Sequence, residues 1–488
     1  MRGIVMGSQL DVLKSATTIK IAELKELYLS DSIPWVVGYS GGKDSTAVLQ
    51  LVWMALEELT EEERTKPVYV ISTDTLVENP FVAYWVIQSQ EKMKETAKEK
   101  NLPIYPYILT PDISDTFWVN LIGKGYPAPR HKFRWCTERL KIKPANKFVI
   151  DVVKQNGEAI MFLGMRKAES SARAHVMKKY EKKRVTSMLN RSSTLPNCYV
   201  CPPISEWSND DVWVYLMQNR NPWGHNNKDL LTMYQGATAD GECPLVVDSS
   251  TPSCGNSRFG CWVCTLVEED KSMSAMIQND EEKEWMLPLL EFRNEIDFRG
   301  EEGHAKDRER RDFRRMNGMV QVVRDKTIPG PYTQNTRAEL LENAPAGVKE
   351  YEIITQEELN EIRRIWVIDK HEFEDLLPQI YEKVFNADFK GDDLDGHLSI
   401  GSDDILELKK VSKSELQYEL LRELIDIERK YNSLARRSGL FTDMYKAFER
   451  SSFRDSDDAR EKAKERKSLF DLIKEEDVSA IQNEIKEN

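Results

Sequence analysis

The stretch Pro34-Trp35-Val36-Val37-Gly38-Tyr39-Ser40-Gly41-Gly42-Lys43-Asp44-Ser45-Thr46-Ala47-Val48-Leu49 decides the fold. Pro34 to Tyr39 reads as a short buried strand, Ser40 to Thr46 as a glycine-rich turn, and Ala47 to Leu56 as a helix. Strand, turn and helix in that order make a cradle for an anion. The glycines let backbone N–H groups approach a phosphate, and the helix N-terminus adds partial positive charge. Lys43 can neutralise a terminal phosphate, and Asp44 or Ser45 is expected to cap the helix. Ser-Gly-Gly alone could be a tight turn and nothing more. Its seat between a buried strand and a long helix favours the cradle.

Working outward, Val68 to Ser72 reads as a second strand ending in Thr73-Asp74-Thr75. A helix follows from about Phe81 to Lys100, then strands at Ile104 to Leu109 and at Ala159 to Leu163, the last ending in Gly164. Strands alternating with helices predict an α/β fold, a parallel sheet covered on both faces. A ligand is expected at the carboxyl ends of such strands, where Asp74 and Gly164 would stand. The expected organisation is an N-terminal helix at 1–30, a nucleotide domain at 31–219 and a cysteine-rich region at 220–300. A linker with a basic segment at 301–350 and a charged helical region at 351–488 complete it.

The 488 residues imply two or three domains, taking about 150 residues per domain. No apolar run approaches the roughly 18 residues that span a bilayer, and the N-terminal residues do not resemble a secretory leader. No membrane association and a cytoplasmic location are the expectations. Eighty-two acids against 69 bases give a net charge of −13. That excludes a uniformly basic coat for nucleic acid but not a local basic groove.

The seven cysteines are Cys136, Cys198, Cys201, Cys243, Cys254, Cys261 and Cys264, and the last 224 residues have none. An intracellular chain of this size does not read as a disulfide framework. Cys243, Cys254, Cys261 and Cys264, spaced C-x10-C-x6-C-x2-C, read as a metal site, for which iron–sulfur and zinc are both chemically open. Cys198 and Cys201 form a second C-x2-C, which is either an alternative ligand pair or two buried structural thiols. Six scattered histidines offer no metal-like pair.

The Ser40–Thr46 string differs from the P-loop and from GxGxxG. It resembles the PP-loop of ATP pyrophosphatases, which implies an adenine-nucleotide α-hydrolase-like fold and cleavage of ATP to AMP and pyrophosphate. Arg134-Trp135-Cys136-Thr137 with Leu140, Lys141 and Pro144 resembles the PAPS reductase-like subgroup. So do Gly164-Met165-Arg166-Lys167-Ala168-Glu169-Ser170-Ser171-Ala172-Arg173 and the block Pro203-Ile204, Trp207, Asp211-Val212-Trp213, Tyr215-Leu216. The C-terminal E-C-G-x-H motif of PAPS reductases and the Cys-Cys pair of adenylylsulfate reductases are not found. With the cysteine spacing and Asp270-Lys271-Ser272-Met273, the chain resembles the DndC-type sulfurtransferases of bacterial DNA phosphorothioation and their single-strand-specific relatives.

That resemblance implies ATP and Mg2+ as cofactors, held by Ser40, Gly41, Gly42, Lys43, Asp44, Ser45, Thr46, Asp74, Gly164, Arg166, Glu169 and Arg173. It also implies a 4Fe-4S cluster on Cys243, Cys254, Cys261 and Cys264. The partners it implies are DNA, a cysteine desulfurase as sulfur donor, and other phosphorothioation subunits. Cys136 is the expected persulfide carrier beside the catalytic Lys43 and Asp44, because an arginine before it and Lys141 after it favour the thiolate. The alternative for Cys136 is a buried structural thiol. Arg166 and Arg173 suit phosphate oxygens, although a lone arginine is often a surface ion-pair partner.

Residues 166–191 carry nine Lys/Arg against two acids, a candidate nucleic-acid path or else a solvated face. Arg308 to Arg315 holds five arginines flanked by Asp307 and Asp312, its own possible partners. Two other readings stay open: a tRNA-thiolating PP-loop enzyme, and a non-catalytic, nucleotide-gated iron–sulfur assembly subunit.

Overall fold

A computed structural model describes residues 2–181, 185–186, 188–237, 260–299, 305–324, 326–345, 352–370, 375–391, 414–432, 434, 437–451 and 453–465. It has two compact units, residues 1–117 with 129–293 and residues 118–128 with 294–488.

The first unit is built on strands β1 (Trp35–Gly38), β2 (Val68–Thr73), β3 (Ile104–Leu109), β4 (Ala159–Phe162), β5 (Asn190–Arg191) and β6 (Cys198–Cys201), in the order β3-β2-β1-β4-β6-β5. All neighbours are parallel except β5, which pairs antiparallel with β6. Trp35, Val36 and Val37 of the central β1 are fully buried, as a strand covered on both faces requires. Helix α1 (Arg2–Leu29) precedes the sheet, and α2 (Lys43–Glu57) leaves β1 through the glycine turn. Eleven of the fifteen α2 residues are buried, so this helix is core on most of its circumference. Helices α3 (Pro80–Glu99) and α4 (Lys143–Asn156) join the later strands. The chain order reverses between β1 and β4, so the loops leaving them diverge and open a crevice at their carboxyl ends.

Helix α5 (Ser171–Glu181) follows β4, and α6 (Asn209–Gln218) and α7 (Asn227–Gly236) follow β6. The Trp207 to Leu216 block proves to be packing and capping. Ile204, Trp207, Val212, Trp213, Tyr215 and Leu216 are buried in one cluster with α2. Asp211 accepts from the Ser208 N–H at 2.8 Å while the Ser208 hydroxyl accepts from the Asp211 N–H at 3.1 Å, a capping box that starts α6.

Among the described residues the second unit is helical, apart from the two-stranded ribbon Val322–Val323 and Lys326–Thr327. Its core joins a π-turn at Val119–Gly123 to the helix Gln356–Arg364 and the turn after it. Buried Trp366 donates to Ile122 O at 2.9 Å, and a Cβ on Gly123 would meet Ile362 and Ile365 at 3.3–3.5 Å. Residues 118–128 thus leave the 31–219 stretch to complete a helical core, which their apolar Val119-Leu121-Ile122 face explains. Within the Pro/Gly-rich connector, Gln334–Asn343 is a helix, started by Thr333, whose side chain accepts from the Thr336 N–H. No helix among the described residues is long and apolar enough to cross a membrane.

Candidate active site

A cleft of about 920 Å3 opens at the carboxyl ends of β1, β2 and β4, lined among others by Ser40–Ser45, Asp74, Gly164, Arg166, Glu169 and Arg173. Gly41 has φ +74, and a Cβ there would lie 2.6 Å from Val86 Cγ2 and 3.1 Å from Trp85 Cδ1. Glycine is therefore required twice over, by conformation and by space. The Ser45 hydroxyl donates to Gly42 O at 2.9 Å and accepts from the Ser40 N–H at 3.2 Å, which closes the loop on itself. The expected helix cap is corrected: Gly42 is the N-cap with no side-chain bond, and Asp44 lies in the first turn.

Asp44 is engaged elsewhere. Its carboxylate accepts from Arg166 Nε at 2.6 Å and from Lys43 Nζ at 3.2 Å. Arg166 is only 4% exposed, and it also donates to Trp207 O at 3.4 Å. Glu169 accepts from the Arg166 N–H at 3.0 Å and pairs with Arg173, whose side chain is 46% exposed. The G-x-R-x-x-E-S-x-x-R segment thus anchors one guanidinium behind the phosphate loop and leaves the other at the rim. Gly164 completes the join, because a Cβ there would stand 2.8 Å from the Asp44 carbonyl carbon. Thr46 is buried, outside the cleft lining, and its hydroxyl donates to Gly42 O at 2.9 Å, so it braces the loop from behind.

Asp74 accepts from the Leu76 N–H at 2.8 Å across a turn in which Leu76 has φ +63. Burial, with a smaller contribution from the Glu78 charge, pushes the Asp74 carboxyl above its ordinary range. Tyr234, on α7, was not legible from any local motif. Lys43 Nζ lies 5.5 Å from its ring centroid, and a Cβ on Gly42 would come 3.3 Å from its hydroxyl. Burial also raises the Tyr234 hydroxyl, so it is a neutral hydroxyl in the loop's floor.

Cys261 approaches this cleft through Glu78, one of its lining residues. Cys261 forms an antiparallel bridge with Glu78, and the Trp262 N–H donates to Val77 O at 3.0 Å. Cys261 Sγ is 3.7 Å from Glu78 Oε1 and 3.4 Å from Thr75 Oγ1. Lys141 Nζ pairs with Glu78 Oε1 at 3.0 Å, and both residues line the cleft. The turn after Cys261 is wrapped round Arg293, 1% exposed, which donates to Cys264 O at 2.9 Å and to Glu268 O at 2.9 Å. That arginine, like Glu78, carried no sequence signal.

Cys136 sits at the head of the Thr137–Ile142 turn, anchored by buried Trp135 stacked on Phe117 at 5.4 Å. It lies within electrostatic reach of Cys264 and Lys141. The expected thiolate is corrected, because burial outweighs the Lys141 cation and pushes this thiol up. Cys243 and Cys254 lie outside the described residues, and among the described residues no three His, Cys, Asp or Glu side chains converge on one ion.

Cys198 and Cys201 cannot be a chelating pair. Three positions apart on β6, they point to opposite faces of the sheet, one into the Val36–Ile71 cluster and the other into the Trp35–Val37 cluster. Burial raises them to about 11 and about 12, as inert core thiols. In the basic run, Lys178 and Lys179 are exposed on α5, while residues 182–184 lie outside the described residues.

Residues 34–266 match the phosphoadenosine phosphosulfate reductase domain family, and this stretch is similar to the PP-loop domains of that family. An uncharacterized protein of Methanocaldococcus jannaschii is 29% identical over 249 residues, 51% of this chain. The chain spans about two fifths of the length of that curated relative, 39%. Among solved structures, the Candida glabrata FMN adenylyltransferase in complex with FMN and an ATP analogue is 14% identical, covering 46% of this chain and 60% of its own, at a TM-score of 0.25. The U34-tRNA thiolase NcsA from Methanococcus maripaludis with its 4Fe-4S cluster is 14% identical, covering 56% of this chain and 80% of its own, at a TM-score of 0.28.

Proposed function

We propose that this chain is an ATP-dependent sulfurtransferase that replaces a non-bridging oxygen of a DNA backbone phosphate with sulfur. The carrying observation is the seating of the Cys261 turn on Glu78 and Lys141, at the wall of the nucleotide cleft and within electrostatic reach of Cys136.

The phosphate oxygen attacks the α-phosphorus of ATP. The bond from that phosphorus to the β-phosphate oxygen breaks, and pyrophosphate leaves on the Ser40–Asp44 loop, where Lys43 and the α2 N-terminus offset its charge. The terminal sulfur of a persulfide on Cys136 then attacks the activated backbone phosphorus. AMP leaves with the electron pair of the broken P–O bond. A thiol reductant attacks Cys136 Sγ and breaks the S–S bond. The thiophosphate is released and a mixed disulfide remains on Cys136, which a second thiol reduces. A cysteine desulfurase is the proposed source of the persulfide, and other phosphorothioation subunits present the strand.

Magnesium bound chiefly by ATP phosphates needs only one or two protein carboxylates, which Asp44 and Asp74, both in the cleft lining, would supply. Cys261 and Cys264, three positions apart on one turn, suit an iron–sulfur cluster completed by Cys243 and Cys254. Such a 4Fe-4S cluster would supply soft sulfur-binding and electron-transfer chemistry beside the cleft.

Purified protein supplied with ATP, DNA and a persulfide donor tests the reading. The expected products are AMP and pyrophosphate, and Cys136→Ser keeps that cleavage while losing sulfur transfer. ADP as product overturns the cleavage chemistry, and normal sulfur transfer by Cys136→Ser overturns the carrier. Sulfur appearing in tRNA bases but not in DNA moves the acceptor to tRNA.

A further inference from the structure

We infer that the second unit carries a separate polyanion cleft that takes the phosphodiester backbone of a nucleic-acid strand. The cleft, about 870 Å3, is walled by the Arg311–Gly318 loop, by Pro331–Gln334 and by residues of the last helices. Its lining holds eight Lys/Arg against five Asp/Glu.

The acids are already committed. Asp312 and Glu419 bracket Arg314 at 3.0 and 2.7 Å, so that guanidinium is a fixed, neutralised part of the wall. Glu423 pairs with Arg450, Asp455 lies 3.4 Å from Arg454, and Asp369 holds Arg364 at 2.9 Å. Arg315 is held differently. It donates to Pro329 O at 3.2 Å, and a carbonyl orients a guanidinium without cancelling its charge. Arg460 faces Asp457, whose side chain is 85% exposed, and Arg454 is itself 82% exposed. Water-screened pairs of this kind are worth little and yield readily to a phosphate.

The Arg315 loop is tightly packed. Gly330 packs so closely that a Cβ on it would overlap Arg314 O, and Arg311 donates to Gly330 O at 2.7 Å. Asn317, Gln334 and Asn335 add amide donors and acceptors to the lining, suited to sugar and base edges. Planar guanidinium forks on a fixed wall beside such amides match phosphodiesters. This inference concerns binding alone, and it stands whichever bond the first unit activates.

The test is fluorescence anisotropy of the full chain with a labelled single-stranded oligonucleotide of about 20 nucleotides between about 50 and 200 mM KCl. The triple variant Arg315→Gln, Arg454→Gln, Arg460→Gln is expected to bind at least ~10-fold more weakly, with a slope of log affinity against log salt shallower by about 2. The corresponding Arg→Lys triple variant keeps the slope, and ATP binding by either variant, which reports the first unit, stays at the wild-type level. Unchanged affinity and slope in the Gln triple variant overturn the proposal. So does displacement of the labelled strand by polyglutamate more readily than by unlabelled oligonucleotide, since the cleft then prefers acidic peptide. If the triple variant unfolds, Arg454→Gln alone carries the same test, with a slope change of about 0.7.

Discussion

Cys261 Sγ stands 3.7 Å from Glu78 Oε1, and that same oxygen accepts from Lys141 Nζ at 3.0 Å. One carboxylate thereby ties a thiol turn, contributed from more than 180 residues downstream, to the loop that follows β2. The thiol turn and the cleft of the glycine loop thus share a wall, as the proposed ATP-driven sulfur transfer requires.

The close approach of the β4 end to the phosphate loop makes Gly164 a sensitive backbone position. Gly164→Ala puts a methyl 2.8–2.9 Å from the Asp44 peptide group, which is backbone and cannot step aside. Overpacking of this sort costs about 1–3 kcal/mol. The expected outcome is a lowered unfolding midpoint, together with at least ~10-fold weaker ATP binding by calorimetry, since about 1.4 kcal/mol is tenfold. Wild-type ATP affinity in this variant would show that the α2 N-terminus does not hold the phosphates.

The two C-x2-C pairs make opposite predictions for metal content. Cys198→Ala and Cys201→Ala remove core thiols on opposite sheet faces, so each is expected to lower stability by about 1–2 kcal/mol with iron content unchanged. Cys261→Ser and Cys264→Ser are expected to lose the iron, read by inductively coupled plasma analysis and by the visible absorption band. Chelation of wild-type protein should bleach the same band. Iron that survives both serine variants places the cluster elsewhere.

His225 sets an acid limit on the first unit. It packs against Trp85 at 4.4 Å, and burial, with help from the Lys92 charge, lowers it from 6.5 to about 4, against a weaker pull from Asp229. Below pH 6.5 the unfolded chain takes up a proton that the folded chain refuses. This contribution to stability is therefore complete above 6.5 and is lost as pH falls toward 4. Between pH 7.5 and 5 the loss from this one group is about 2 kcal/mol. Denaturant midpoints measured across that range should fall less steeply in His225→Gln. Parallel curves for the two proteins would contradict the burial of a neutral imidazole.

Much of the first unit was legible because its signals are local. The β1 apolar run, the Ser40–Thr46 turn and the α2 helix are contiguous, and periodicity alone gives their order. Gly164 and Asp74 were legible as strand-end residues once the sheet was recognised as parallel. Strand β6 was not, because Cys-Tyr-Val-Cys is four residues long and followed by two prolines; of the two readings the spacing left open, the pleat, which puts the thiols on opposite faces, bears out buried structural thiols over ligands. Glu78, Tyr234 and Arg293 act through contacts between residues far apart in sequence, which no local pattern encodes. The expected Cys136 thiolate, as distinct from its carrier role, is corrected for a related reason: its cationic neighbours are visible in the string, whereas the burial that outweighs them exists only in the fold.

Mass spectrometry of nuclease-digested DNA and tRNA from cells carrying this chain with its partner subunits bears most directly on sulfur transfer powered by the cleft. Wild-type cells should yield a sulfur-bearing dinucleotide from DNA. Cells carrying the Lys43→Ala, Asp44→Ala double variant should yield none, with tRNA nucleosides identical in both. The same dinucleotide at wild-type level in the double variant would contradict it, leaving the chain a nucleotide-gated assembly subunit without chemistry of its own.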